Sequence, residues 1–204
     1  MSLSTTEKIT GFLVRPAETF RAVRDETFGD VITYFAVLLI INAVLSAIVA
    51  LLGFRAFGMP GSAIAGAGGV GAVIGAFIFA LIAGVIGLIL GSILLHIGVV
   101  VMGGHGGFMQ TFKAVVYGLT PYYLLGWIPI IGGLAGIWGL IVEIIGIREL
   151  HDMTTGRAVI AWLISIVIII IIVAILVAIV GAFLFAIFGI ASSSGPIPVV
   201  TVSP

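Results

Sequence analysis

The chain reads as an all-α polytopic membrane helix bundle. Five transmembrane helices follow an amphipathic N-terminal helix, with the N-terminus inside and the C-terminus outside. Three observations carry this reading. Of 204 residues, 62% are hydrophobic and 8% charged, with mean hydropathy +1.43; a soluble domain carries about 25% charged residues. The apolar residues fall in long runs, on the scale of the ~20 needed to cross the hydrocarbon. The few basic residues gather on one side of those runs, as the positive-inside rule expects.

Composition also excludes functions. The net charge is zero, so no overall field draws nucleic acid or acidic substrates. The absence of Cys removes disulfides, thiolate metal sites and Cys nucleophiles. The first apolar run begins only at Val31, behind mixed charge, unlike a cleavable signal peptide.

Residues 1–30 form the cytoplasmic segment and hold nine of the sixteen charges. Ile9, Phe12, Leu13, Ala17, Phe20 and Val23 recur at helical spacing. Pro16 fits the first turn of a helix reaching about Glu26. Such a helix lies either on the membrane surface or against the cytoplasmic ends of the bundle.

The membrane domain is expected over residues 31–190, followed by a disordered outer tail at 191–204. Span one is 31–54, with Asn42 near its middle as a structural amide bonding another helix. A Gly-rich loop follows at 55–69. Span two is 73–101. Five spans place Lys8, Arg15, Arg21, Arg24, Lys113, Arg148 and Arg157 inside and only Arg55 outside, seven against one. Splitting the run from Ile64 to Met102 into two spans would give four against four, so five is the better count.

Gly71/Gly75 and Gly87/Gly91 let helix backbones approach. They are read as packing within the monomer, with a dimer face as the alternative. Gly103–Gly107 with His105 is a flexible inner turn; a single His makes no metal site. Span three is 109–127, kinked by Pro121, with Tyr122, Tyr123 and Trp127 as outer interface anchors. Span four is 130–147, with small residues at Gly132 and Gly136. It forms a tight hairpin with span three. Arg148–Arg157 is the inner loop, and span five is 158–185.

Ionisable groups within spans are functional hypotheses. His96, Lys113 and Glu143 all fall within about 10 Å of the inner boundary at ~1.5 Å per residue, which suggests one polar layer. Lys113 and Glu143 could pair across the hairpin, or Lys113 could snorkel to the headgroups. Ser92 precedes His96 by one turn; its hydroxyl most simply bonds its own helix. Metalloprotease, phosphate-loop and hydrolase motifs are absent, so neither an enzyme nor a cofactor or metal is expected.

Val14-Arg-Pro-Ala-Glu-Thr-Phe20 precedes span one. Phe108, Lys113-Ala-Val-Val-Tyr117, Thr120-Pro121 and Trp138 mark the hairpin. With the five-span layout, these residues resemble the Yip family, membrane proteins named for interaction with Ypt/Rab GTPases. The resemblance covers roughly residues 9–180. It implies an integral membrane protein, with relatives in the Golgi and endoplasmic reticulum acting in vesicle traffic and membrane shaping. The short N-terminal segment and the missing Asp-Leu-Tyr-Gly-Pro motif look more like prokaryotic members, which would place this chain in the cell membrane. Rab binding does not carry over. The expected function is partner recruitment or membrane organisation through the cytoplasmic face, with the bilayer and membrane or cytoplasmic proteins as partners and oligomerisation left open. The alternative is a small transporter or channel using the Lys/Glu/His layer.

Overall fold

A computed structural model describes residues 3–51, 69–128 and 130–193. Most of the expected 55–69 loop, the last residues of expected span one, Pro129 and the tail past Ser193 lie outside the described residues. Every regular element among the described residues is helical. In order they are α1 (Thr5–Val14), α2 (Pro16–Ala22), α3 (Phe28–Leu51), α4 (Gly69–Val101), α5 (Gly107–Gly118), α6 (Thr120–Leu125), α7 (Ile131–Leu150) and α8 (Thr155–Ser193).

The N-terminal segment forms two helices rather than one. Ser4 starts α1 with a capping box: Glu7 N–H donates to Ser4 Oγ at 3.3 Å, and Ser4 N–H donates to Glu7 Oε2 at 2.8 Å. Arg15 ends α1 because the ring of Pro16 disfavours helical geometry in the residue before it; Arg15 sits at φ −135°, ψ 58°. Pro16 then opens α2. The two helices press together where Gly11 faces Thr19: a Cβ on Gly11 would stand 2.4 Å from Thr19 Oγ1. Thr27 and Asp30 reciprocate at the start of α3, Asp30 N–H to Thr27 Oγ1 at 3.3 Å and Thr27 N–H to Asp30 Oδ2 at 3.1 Å.

Among the described residues, four helical stretches are long and apolar enough to cross a membrane: Phe28–Val49, Val73–Val101, Ile131–Leu150 and Thr155–Ile187. The segment expected as span three is instead two short helices. Pro121 has no N–H to give Tyr117 O, so the chain bends between them. Leu119 N–H still bonds Val115 O at 3.0 Å, and Tyr123 N–H bonds Leu119 O at 2.9 Å.

The body from residue 3 to Ser165 is built around α5. Thr111 through Gly118 are all buried. Phe12 stacks on Tyr117 at 4.6 Å between ring centroids, Tyr34 lies 5.2 Å from the same ring, and Phe20 meets Phe12 edge-on at 4.8 Å. Both N-terminal helices are therefore docked on the bundle through this aromatic cluster.

α5 and α7 run antiparallel at very short range. A Cβ on Gly139 would stand 2.9 Å from Gly118 O, one on Gly118 2.9 Å from Glu143 Cα, and one on Gly146 3.1 Å from Ala114 Cα. Further along, a Cβ on Gly132 would stand 2.5 Å from Gly126 O. The contacting stripe is thus Gly132, Gly139 and Gly146, two turns apart each time. Gly136, the expected partner of Gly132, faces only Tyr122 at 3.9 Å. α4 meets the start of α8 in the same way, with Gly98 against Ala161 O.

From Ile166 the helix α8 forms a separate unit. Its side chains from Ile170 to Ile187 are all exposed, a uniformly apolar surface suited to lipid.

Gly139→Val should wedge α5 from α7 and lower stability by about 1–3 kcal/mol, the usual cost of overpacking. Gly133→Ala, whose Cβ would meet nothing within 4 Å, should leave stability unchanged. Thermal unfolding in one detergent compares them.

Candidate functional site

The polar groups concentrate where the N-terminal segment meets the C-terminal end of α7. The chain between α2 and α3 carries Arg24, Asp25 and Glu26 into this junction. α7 ends in unpaired carbonyls that favour a cation. Arg24 supplies one: its Nη2 donates to Glu149 O at 3.2 Å, Leu150 O at 3.3 Å and Asp152 Oδ2 at 2.6 Å. Asp152 can take this position because it holds a left-handed backbone, φ 52°, which Asp tolerates. Arg21 Nε reaches Glu149 Oε2 at 2.6 Å. In return Arg24 O accepts from Lys113 Nζ and, at 3.2 Å, from Gln110 Nε2.

Glu26 points the other way, into the aromatic cluster. Its Oε1 lies 2.7 Å from Lys8 Nζ, and the two side chains are only 7% and 8% exposed. Its Oε2 accepts from the Tyr117 hydroxyl. Lys8 Nζ also sits 5.8 Å from the Tyr34 ring centre, and Tyr34 bonds Thr120 Oγ1 at 2.9 Å. A buried pair of this kind adds little net stability while intact, but losing one partner leaves an uncompensated charge.

A second network crosses from α4 to the α7–α8 loop. Gly106 N–H donates to His151 Nδ1 at 3.1 Å. A backbone N–H can only donate, so that nitrogen carries no proton, and neutral His151 holds its proton on Nε2. His151 Nε2 then donates to Thr111 Oγ1 at 3.0 Å, which leaves the Thr111 hydroxyl to donate to His96 Nδ1 at 2.8 Å. His151 is 2% exposed. Burial, and to a lesser degree the neighbouring His96, push its imidazole down to about 4. The turn expected to be flexible is tied down by this network, and Gly103 closes α4 in the left-handed region at φ 75°. His105 itself is exposed.

Among the described contacts, His96, Lys113 and Glu143 are not joined to one another. His96 bonds Thr111, and Lys113 bonds the Arg24 carbonyl. Glu143 packs against Gly118. The described ion pairs join other groups, and none links Lys113 to Glu143. Helix register gives the reason. Gly146 lies against Ala114 and Glu143 against Gly118, so Glu143 is level with a residue five beyond Lys113. That separation is about 7.5 Å along the axis at ~1.5 Å per residue.

Asn42 Nδ2 donates to Tyr123 O at 3.0 Å, joining α3 to α6. Ser92 is fully buried, and among the described residues its hydroxyl has no partner, not even the helix backbone expected of it. Tyr123 packs inward, 5.7 Å from Phe35 between ring centres, with Tyr122 5.9 Å from it. Trp127 is half-buried and donates to Leu124 O at 2.6 Å. Sequence reasoning passed over Lys8, Arg24, Glu26, Thr111, Tyr117 and His151. The available signal was the spacing of Lys113 and Tyr117, four apart on one face of a mostly apolar helix.

The fold and this polar end define an integral, multi-pass membrane protein with most of its charge at one end of its helices. The chain belongs to the Yip family: a sequence model of the Yip1 domain matches residues 10–178, from the middle of α1 through most of α8. Comparison with curated proteins and with solved structures returned no match.

Glu26→Gln should destabilise the protein by about 3 kcal/mol, because it strands Lys8 in a buried site. Adding Lys8→Met should recover most of that loss, as read by unfolding midpoints in detergent. The pH dependence follows from His151. The unfolded imidazole titrates near ~6.5 and the folded one near 4. The unfolded chain therefore takes up the proton first, and stability falls as pH drops from about 6.5 toward 4. His151→Gln should show a shallower fall over that window; equal slopes would place the titration elsewhere.

Proposed function

We propose that the protein is a non-enzymatic membrane protein whose cytoplasmic face serves as a docking platform for membrane or cytoplasmic proteins. The observation that carries this reading is the exposed rim of the polar junction. Around the buried contacts, Arg15 and Glu18 have side chains 73% and 69% exposed, and Arg21 and Asp152 are 66% and 77% exposed. Their backbones are anchored to the bundle, so the rim presents charge at little ordering cost.

Five spans, N-terminus inside, fit this reading. Residues 107–125 would make the third crossing as α5 and α6 together; 19 residues reach about 28 Å at ~1.5 Å each, close to the ~30 Å hydrocarbon. Lys113 and the Arg residues flanking α7 and α8 then share the inner side with the N-terminal helices.

Deleting the N-terminal helices would be a poor test, since Phe12 and Phe20 fill the core. Arg15→Glu with Glu18→Lys changes only the rim. Cross-linking in native membranes should then show a severalfold loss of captured partners with the protein level unchanged. An identical capture profile would overturn the docking reading. The chain has no Cys, so orientation can be read by single introduced thiols. Ser203→Cys should label from outside and Glu18→Cys only after permeabilisation.

A further inference from the structure

Between α3, α4, the α5–α6 segment and α7 lies a cavity of about 350 Å³, within the ~300–1,000 Å³ typical of small-molecule sites. It is separate from the polar rim. Its lining is mostly apolar, with a few polar groups: Asn42, Tyr122, Tyr123 and Glu143. Glu143 is the sole charged residue among those lining it, and none is basic.

Asn42 and Glu143 both present acceptors to this space. Asn42 uses its Nδ2 on Tyr123 O, so the carbonyl end of the amide remains as an acceptor. Glu143 lines the same space, and a carboxylate offers about four lone-pair positions. A ligand that engages both Asn42 and Glu143 brings donors, and preferably positive charge. The tyrosine rings suit a cation as well.

The opposite wall is bare for no packing reason internal to the protein. Gly84 is crowded, since a Cβ there would stand 2.7 Å from Leu39 Cδ1. Gly87 and Gly91, which also line the cavity, would carry a Cβ into open space, with nothing within 4 Å. Gly87 is exposed and marks the mouth along α4. Larger side chains would close the cavity without clashing with any helix.

We infer that this cavity binds a small lipophilic ammonium ion. The charged nitrogen sits on the Glu143 carboxylate, with the Asn42 carbonyl as a further acceptor, and the apolar body lies along the glycine wall of α4. An ionised carboxylate at membrane depth is costly without a counter-charge. Here the ligand supplies that charge. The inference goes beyond the docking reading and does not depend on it.

The test uses the full-length protein in lipid nanodiscs, with empty discs subtracted for partitioning. The probe is 2-phenylethylammonium, compared with 2-phenylethanol, which has the same shape without charge. Saturable binding of the ammonium is expected, with the alcohol weaker by about tenfold or more, the scale of a charge-assisted hydrogen bond. Glu143→Gln should weaken the ammonium by a similar factor. Gly87→Leu, which fills the mouth and leaves the carboxyl intact, should abolish binding while helicity and elution volume stay unchanged. Absence of saturable ammonium binding overturns the inference. So does equal affinity for the alcohol, or unchanged binding in a correctly folded Gly87→Leu protein. If Glu143→Gln fails to fold, the alcohol comparison and Gly87→Leu still decide the matter.

Discussion

The structure depends on enclosing one helix. α5 is buried without interruption from Thr111 to Gly118, so neighbours must cover it on all sides. Glycines allow one of those neighbours to come close enough. Gly118, Gly139 and Gly146 bring α5 and α7 to backbone contact, where dispersion and weak backbone contacts replace the hydrophobic drive that lipid does not supply. The remaining sides are closed by the aromatic cluster of Phe12, Phe20 and Tyr34 and by the α3 and α4 helices. Because α5 is surrounded, it can carry Lys113, Thr111 and Tyr117 in the interior, each bonded to other protein groups.

The helical class and the apolar runs were legible because composition and run length are local properties. The runs expected at 73–101 and 130–147 overlap the helices Gly69–Val101 and Ile131–Leu150. The resemblance to the Yip family was legible too, through the Val14–Phe20 entry and the Lys113–Pro121 hairpin. Pairing between helices was not legible. Side-chain partners at depth depend on helix register, and one turn of offset moves Glu143 from Lys113 to Gly118. Glycine spacing was ambiguous in a chain with 29 glycines: the pair four apart, Gly132 and Gly136, stood out, while the face in contact repeats every seven.

The N-terminal segment shows the same limit. Its apolar periodicity is genuine, since Phe12, Phe20 and Val23 are all fully buried. Periodicity alone could not show that Arg15 would break the helix, although the proline after it supplied the reason. Once the chain turns there, Lys8 faces Glu26, eighteen residues on, and a surface helix becomes part of the core.

The contacts of Arg21 and Arg24 also carry a consequence for assembly. They reach Glu149 and Asp152, each 128 residues later in the chain. At the ~5–20 residues per second of translation, on the order of ten seconds pass before those partners exist. The first segment made is thus among the last to find its place. Its docking reports that α7 has been delivered with its end on the correct side. A chain that misplaces α7 leaves Arg21 and Arg24 without these partners.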